Sequence, residues 1–220
     1  MIAMSLFAKP KFKYCFIAVI PLLVFGRAWA NCAQSGTISA NCNLLSWNGP
    51  DLTINSGVTI GGSFGTYNNL STSPTGSYGT VGNPYGILTN NGTITNSVGQ
   101  SGANVVVFWN GGTPLYINGV VNNGTISAPT GGYTFRNDYA TLAYLYNNAG
   151  ATISATNATT ILNNGGSVIT NGISNAGTIS STGAGQYAIW NFGGTTSITN
   201  SGTGVISADG NAIVNQAKGS

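Results

Sequence analysis

Short apolar triplets flanked by hydroxyl residues, each introduced by an asparagine and a glycine, recur from one end of the chain to the other. "NNGTISA" from Asn122 reappears as "NNGTITN" from Asn90, "NAGATISA" from Asn148, "NAGTISS" from Asn175 and "NSGTGVISA" from Asn200. Looser forms are "QSGTISA" from Gln34 and "NSGVTIGG" from Asn55. The third-position glycines (Gly36, Gly57, Gly92, Gly124, Gly150, Gly177 and Gly202) recur at intervals of about 20 to 35 residues. Such periods belong to solenoids, propellers or other repeat arrays, and their unevenness predicts insertions on one face.

Within a copy, Thr-Ile-Ser predicts a three-residue strand with Ile inward and both hydroxyls outward. The Asn-x-Gly before it predicts a tight turn through left-handed backbone. The fullest copies are "VFWNGGTPLYINGVVNNGTIS" from Val107, "ILNNGGSVITNGISNAGTIS" from Ile161 and "IWNFGGTTSITNSGTGVIS" from Ile189. Each contains three short apolar strands that end at Asn, which is one coil with three sides and three corners. Stacked at the strand spacing of about 4.8 Å, such coils align each Ile with the next and lay the asparagines in ladders. The expected fold is all-β, a right-handed parallel β-helix of about seven coils. A propeller blade needs about 40 residues and four longer strands. Disorder is opposed by the Ile and Val that hold the inward position in nearly every copy. Residues 31–54 read as an N-terminal cap and 55–220 as the repeats. Two segments break the rhythm and read as excursions from the corners: Gly61 to Gly86 and Ala128 to Tyr146.

The first thirty residues have another character. Lys9, Lys11 and Lys13 precede the apolar stretch Phe16 to Gly26 and the small-residue site "AWA", a secretory signal peptide with cleavage expected between Ala30 and Asn31. Its removal takes four of the six basic residues. Arg136 and Lys218 then face Asp51, Asp138 and Asp209, a single net negative charge. Nucleic-acid binding, which relies on clustered cations, has no basis in such a chain. Cys32 and Cys42 are the cysteines left after cleavage. In an exported chain they read as a disulfide, with a pair of buried free thiols as the alternative.

Titratable residues are scarce: the mature chain has three Asp and neither Glu nor His. General acid/base work, a metal centre and an activated nucleophile each lack a partner, so the chain reads as non-enzymatic and without cofactor. The sequons at Asn69, Asn91, Asn123 and Asn157 follow largely from the turn chemistry. Adaptable binding surfaces are built from Tyr, Ser, Gly and Asn. On that ground Tyr67, Tyr78, Tyr85, Tyr133, Phe135, Arg136, Asp138 and Tyr139, all in the two excursions, are the candidate ligand contacts. An Arg136–Asp138 ion pair on a solvated loop is the plainer reading.

A signal peptide followed by Asn-x-Gly-Thr-Ile-Ser/Thr coils resembles the passenger region of bacterial autotransporters, the type V secretion proteins, over Asn31 to Ser220. The resemblance implies export, display at the outer membrane through a C-terminal barrel not present in this chain, and adhesion to a host-cell or surface receptor or glycan. The other reading is a freely secreted or periplasmic solenoid that binds carbohydrate or a similar ligand. An ice-binding face would need an unbroken outward Thr array, and "SVITN" and "GVISA" are read as interruptions of it. "NAIVNQAKGS" from Asn211 opens a further coil and stops within it, so the expectation is either a gene that continues into further coils and an outer-membrane barrel or a truncated product.

Overall fold

A computed structural model describes residues 31–43, 45–61, 68–72, 78–96, 103–109, 114–195 and 197–216. The expected signal peptide, with Ala30, and Tyr67 lie outside the described residues. All regular elements among those described are strands, and they wind through three parallel sheets. The first side stacks seven strands, from Leu45–Trp47 to Ile213–Asn215. The second stacks ten, and the third stacks six, from Thr59–Ile60 to Val205–Ala208. The fold is a parallel β-solenoid, of which residues 114–216 make about four turns.

The copies of the repeat are not equivalent. Six of them form the third side, whereas "QSGTISA" supplies Gly36–Ile38, which pairs with Leu52–Ile54 on the second side. Counting copies therefore does not count coils, and the structure shows about four turns rather than the expected seven. Strands within 31–54 pair into the same sheets as the repeats. The segment 128–146 is likewise no excursion: Phe135–Asn137, Ala140–Leu142 and Leu145–Asn147 supply two sides of a coil. On the second side the long strand Leu115–Asn122 pairs with both Ala140–Leu142 and Leu145–Asn147.

In-register stacking turns the periodicity into columns. On the third side Ile60, Ile94, Ile126, Ile153, Ile179 and Ile206 succeed one another turn by turn. On the second side the column is Leu52, Leu88, Val120, Leu145, Ile173 and Ile198. Val106, Phe135, Ile161, Ile189 and Ile213 form that of the first. The middle members are fully buried. Burying one such side chain stabilises by about 1.5 to 3 kcal/mol, so three columns outweigh the weak propensity of three-residue strands.

The corners are pinned by asparagine. Asn90 Nδ2 donates to Asn122 Oδ1 at 2.8 Å, Asn122 to Asn147 at 2.8 Å, Asn147 to Asn175 at 2.7 Å and Asn175 to Asn200 at 2.7 Å. The same amides also donate to the Thr125, Thr152, Thr178 and Val205 carbonyls of the next turn. A second ladder runs Asn137, Asn163, Asn191, Asn215 at 2.8, 2.7 and 2.7 Å. An outer row joins Asn123 to Asn91 and Asn148 to Asn123, with the direction of donation reversed. A buried amide left unpaired costs about 1 to 3 kcal/mol, so these ladders make interior asparagine tolerable only in this register. Before Asn137 the corner is aromatic: Trp47 lies edge-on to Tyr85 at 5.2 Å, and Phe108 edge-on to Phe135 at 5.3 Å.

The repeat glycines serve two purposes. Gly57, Gly150 and Gly202 have φ of 77°, 79° and 62°, the left-handed turn that the spacing suggests. Gly92, Gly124 and Gly177, where the strand follows without an inserted residue, are not left-handed. There the preceding turn passes so close that a Cβ would strike the carbonyls of Val58, Gly92 and Ala151. Gly124→Ala is accordingly expected to lower the stability measured by urea unfolding by about 1 to 3 kcal/mol, whereas Gly57→Asn, with open space around it, changes it by less than about 1 kcal/mol. Ile179→Asp, against Thr178→Ser as its silent neighbour, should abolish cooperative unfolding, because Ile179 is fully buried and an unpaired carboxylate there costs several kcal/mol. Equal midpoints for the members of either pair would contradict the register.

Candidate functional site

The outward residues of the three sides differ in chemistry. On the third side Thr59, Thr93, Thr125, Thr152 and Thr178 form one column before Val205, and Thr95, Ser127, Ser154, Ser180 and Ser207 form another. "SVITN" does not interrupt the threonine column, because Val168–Ile169 lies on the second side. Up to Val205 this face is uniform, with hydroxyls alone and nothing that singles out one turn.

The first side gathers unlike groups at one place. Its pairing sets Val107 beside Arg136, Arg136 beside Leu162, and Leu162 beside Trp190. Two residues on, the Asp138 amide donates to the Phe108 carbonyl, the Asn164 amide to Asn137 and the Phe192 amide to Asn163. Register therefore continues past the strand ends and brings Trp109, Asp138, Asn164 and Phe192 into a second row. Between these rows lies a cleft of about 360 Å³, lined by Asn104, Val107, Trp109, Arg136, Asp138, Tyr139 and Asn164.

Its polar floor is a short network. Arg136 Nε lies 2.6 Å from Asp138 Oδ2, and Asn164 Nδ2 donates to Asp138 Oδ1 at 2.8 Å. The Arg136 N–H is not aligned on the carboxylate, so charge rather than a directed hydrogen bond holds the pair. The Asp138 side chain is 6 % exposed and that of Arg136 33 %, so the cation faces the cleft and the anion supports it. Arg136 also lies over the Tyr133 ring, 5.7 Å from its centroid, which limits the orientation of the guanidinium. Tyr133 is fixed in turn through its backbone amide, which donates to Asn104 Oδ1 at 2.9 Å.

The walls are aromatic. Trp109 is 52 % exposed and Tyr139 49 %. Tyr139 has φ of 55°, an uncommon conformation for a bulky residue, and its ring lies against Gly166, where a Cβ would crowd it. Left-handed backbone costs a non-glycine residue about 1 to 2 kcal/mol, and strain of this kind accumulates at functional sites.

Of the residues that the sequence suggests as contacts, the structure brings Arg136, Asp138 and Tyr139 into the cleft and sets Tyr133 beneath it. Tyr85 and Phe135 are corrected: both are buried, Tyr85 against Trp47 and Phe135 against Phe108. Burial also raises the Tyr85 hydroxyl above the ordinary tyrosine range. Tyr78 packs on Tyr85, 6.4 Å between centroids, and does not line the cleft. Trp109, Asn104 and Asn164 were missed. The signal that could have found Trp109 and Asn164 is the alignment of "FWN" at Phe108 with "NDY" at Asn137 and "NNG" at Asn163.

The carboxylates do not converge. Asp51 accepts from the Ile87 amide at 2.8 Å, Asp209 from the Gly183 amide at 2.7 Å, and Asp138 serves the cleft. Cys32 and Cys42 are bonded to each other and buried. Of the sequon asparagines, Asn91 and Asn123 belong to the outer row, and Asn157 is exposed with φ of 55°. The side chain of Asn69 lies outside the described residues.

No protein-family model, curated protein or solved structure matches the chain. The supporting role of Asp138 has a measurable consequence. Asp138→Ala removes the partner of a partly buried cation and of Asn164, and should lower stability by about 1 to 3 kcal/mol in urea unfolding. Trp109→Ala, at a half-exposed side chain, should cost less than Asp138→Ala in the same assay. The reverse ranking would mean that the cleft is not organised around the carboxylate.

Proposed function

We propose that this chain is the passenger segment of an autotransporter-like surface protein: exported, displayed at the outer membrane, non-enzymatic, and adhesive through the cleft on its first side. In this reading it winds as a right-handed parallel β-helix. The observation that carries the adhesive role is the cleft itself, where exposed aromatic walls flank a charge-compensated polar floor. Supporting the export role are the lysine-led apolar leader and the stacked solenoid that follows it, an extended scaffold for surface contacts. The separate employment of Asp51, Asp138 and Asp209 supports binding rather than catalysis.

The Cys32–Cys42 bond favours a second reading, a solenoid that resides in the oxidising periplasm or is released as a free binding module. Both readings require export. Expressing the full chain in a bacterial host and sequencing the N-terminus of the exported material should give Asn31 as its first residue. Protease shaving of intact source cells, which make the protein from its own gene, then separates display, in which the chain is cut, from periplasmic residence, in which it is protected. A retained Met1 would contradict both.

A further inference from the structure

We propose that the cleft binds a neutral oligosaccharide laid along the solenoid axis, with one pyranose ring held between Trp109 and Tyr139 over Arg136 and Asn164, and a later ring resting on Trp190. This inference rests on the reading of the cleft as the binding site and names its ligand class.

The walls argue for a sugar. A pyranose presents C–H groups on its faces and hydroxyls at its rim, and so needs an aromatic or apolar surface beside polar groups. Trp109, Tyr139 and Val107 supply the first, and Arg136 with Asn164 the second, in a volume of about 360 Å³ that accommodates a small ring. Tryptophan and tyrosine give this contact area at low entropic cost, and Tyr139 is already fixed by its left-handed backbone and by Gly166.

The floor argues for a neutral one. Arg136 is the only cation among the described residues, and Asp138 already compensates it at 2.6 Å. An acidic sugar would meet the carboxylate behind the guanidinium and find no second cation. A hydroxyl oxygen, by contrast, can accept from the outward N–H groups of Arg136 without disturbing the pair.

The rows argue for the direction. From Trp109 to Phe192 the side chains climb three turns, about 14 Å at the strand spacing, which spans more than two sugar rings. At the upper end Trp190 stands between Tyr187, at 5.1 Å, and Phe192, at 4.5 Å, with its Nε1 donating to Gln216 at 3.1 Å. That platform is held in place and is half-buried rather than covered. Leu162 lies between the two platforms as a low, nearly buried step.

The test uses the exported protein made from the full chain, titrated by calorimetry and tryptophan fluorescence. The probes are gluco-, galacto- and manno-oligosaccharides and N-acetylglucosamine oligomers of one to six units, with oligogalacturonides as the acidic counterpart. Binding of a neutral series, tightening with length, is expected. Trp109→Ala should weaken every length by about tenfold or more. Trp190→Ala should weaken only the longer members. Tyr139→Asn, which suits left-handed backbone, should fold at least as well as the wild type and yet bind less tightly. Absence of binding to every neutral series, tighter binding of the oligogalacturonides, or indifference to Trp109→Ala would overturn the proposal. Equal loss for short and long sugars in Trp190→Ala would overturn the axial placement. Because purified protein is used, failure here leaves export and display untouched, and failure of display leaves the sugar site standing.

Discussion

A side-chain amide in a protein interior is tolerable only if its donors and acceptor are all met, and this solenoid meets them with the same residue one turn away. Asn122 accepts from Asn90, donates to Asn147 and donates again to the Thr152 carbonyl. Shifting one turn by a single residue would strand three such groups and would also turn Ile126 outward from its column. The ladder therefore fixes the register that the apolar columns alone would only favour. With register fixed at the corners, strands of three residues suffice, and the spacing between copies can vary.

The same constraint locates the cleft. Along the first corner the interior changes character, from the aromatic cluster of Trp47, Tyr85 and Phe108 to the ladder that begins at Asn137. Asn137 pairs in register with Phe108, which has no amide to offer, and its Oδ1 is left without a donor. The residues that follow these two are Trp109 and Asp138, and they line the cleft. The unlike side chains outside thus sit on the seam between two kinds of corner inside. A uniform ladder produces a uniform face, such as the hydroxyl columns of the third side. Here the repeat is broken, and a distinct site results.

Much of this was legible in the sequence. Alternation in Thr-Ile-Ser gives the inward column directly, and Asn at the strand ends implies the ladders, because stacking at one period forces like onto like. Other features depended on information that no single copy contains. Tyr85 and Phe135 have the composition of loop residues, but both begin side strands and pack inward, Tyr85 against Trp47 and Phe135 against Phe108, contacts that only stacking creates. "SVITN" resembles the third-side motif and lies on the second, since only the preceding turn, of different length, sets which side it reaches. Gly124 looks like a turn glycine, yet its role is the close approach of Gly92 from the turn below. Trp109 and Asn164 meet Arg136 only through stacking, and uneven intervals hide that adjacency from a linear reading.

The ladder's primacy is open to a direct measurement: hydrogen exchange of the asparagine side-chain amides, followed by NMR on the folded protein. The Nδ2 protons of Asn122, Asn147, Asn163 and Asn175 should persist as long as the most protected backbone amides of Ile126, Ile153 and Ile179. Those of Asn123 and Asn148 in the outer row, one residue away in sequence from ladder members, should exchange far sooner. Equally rapid exchange of inner and outer amides, with the isoleucine amides still protected, would contradict the account and leave the apolar columns as the sole source of register.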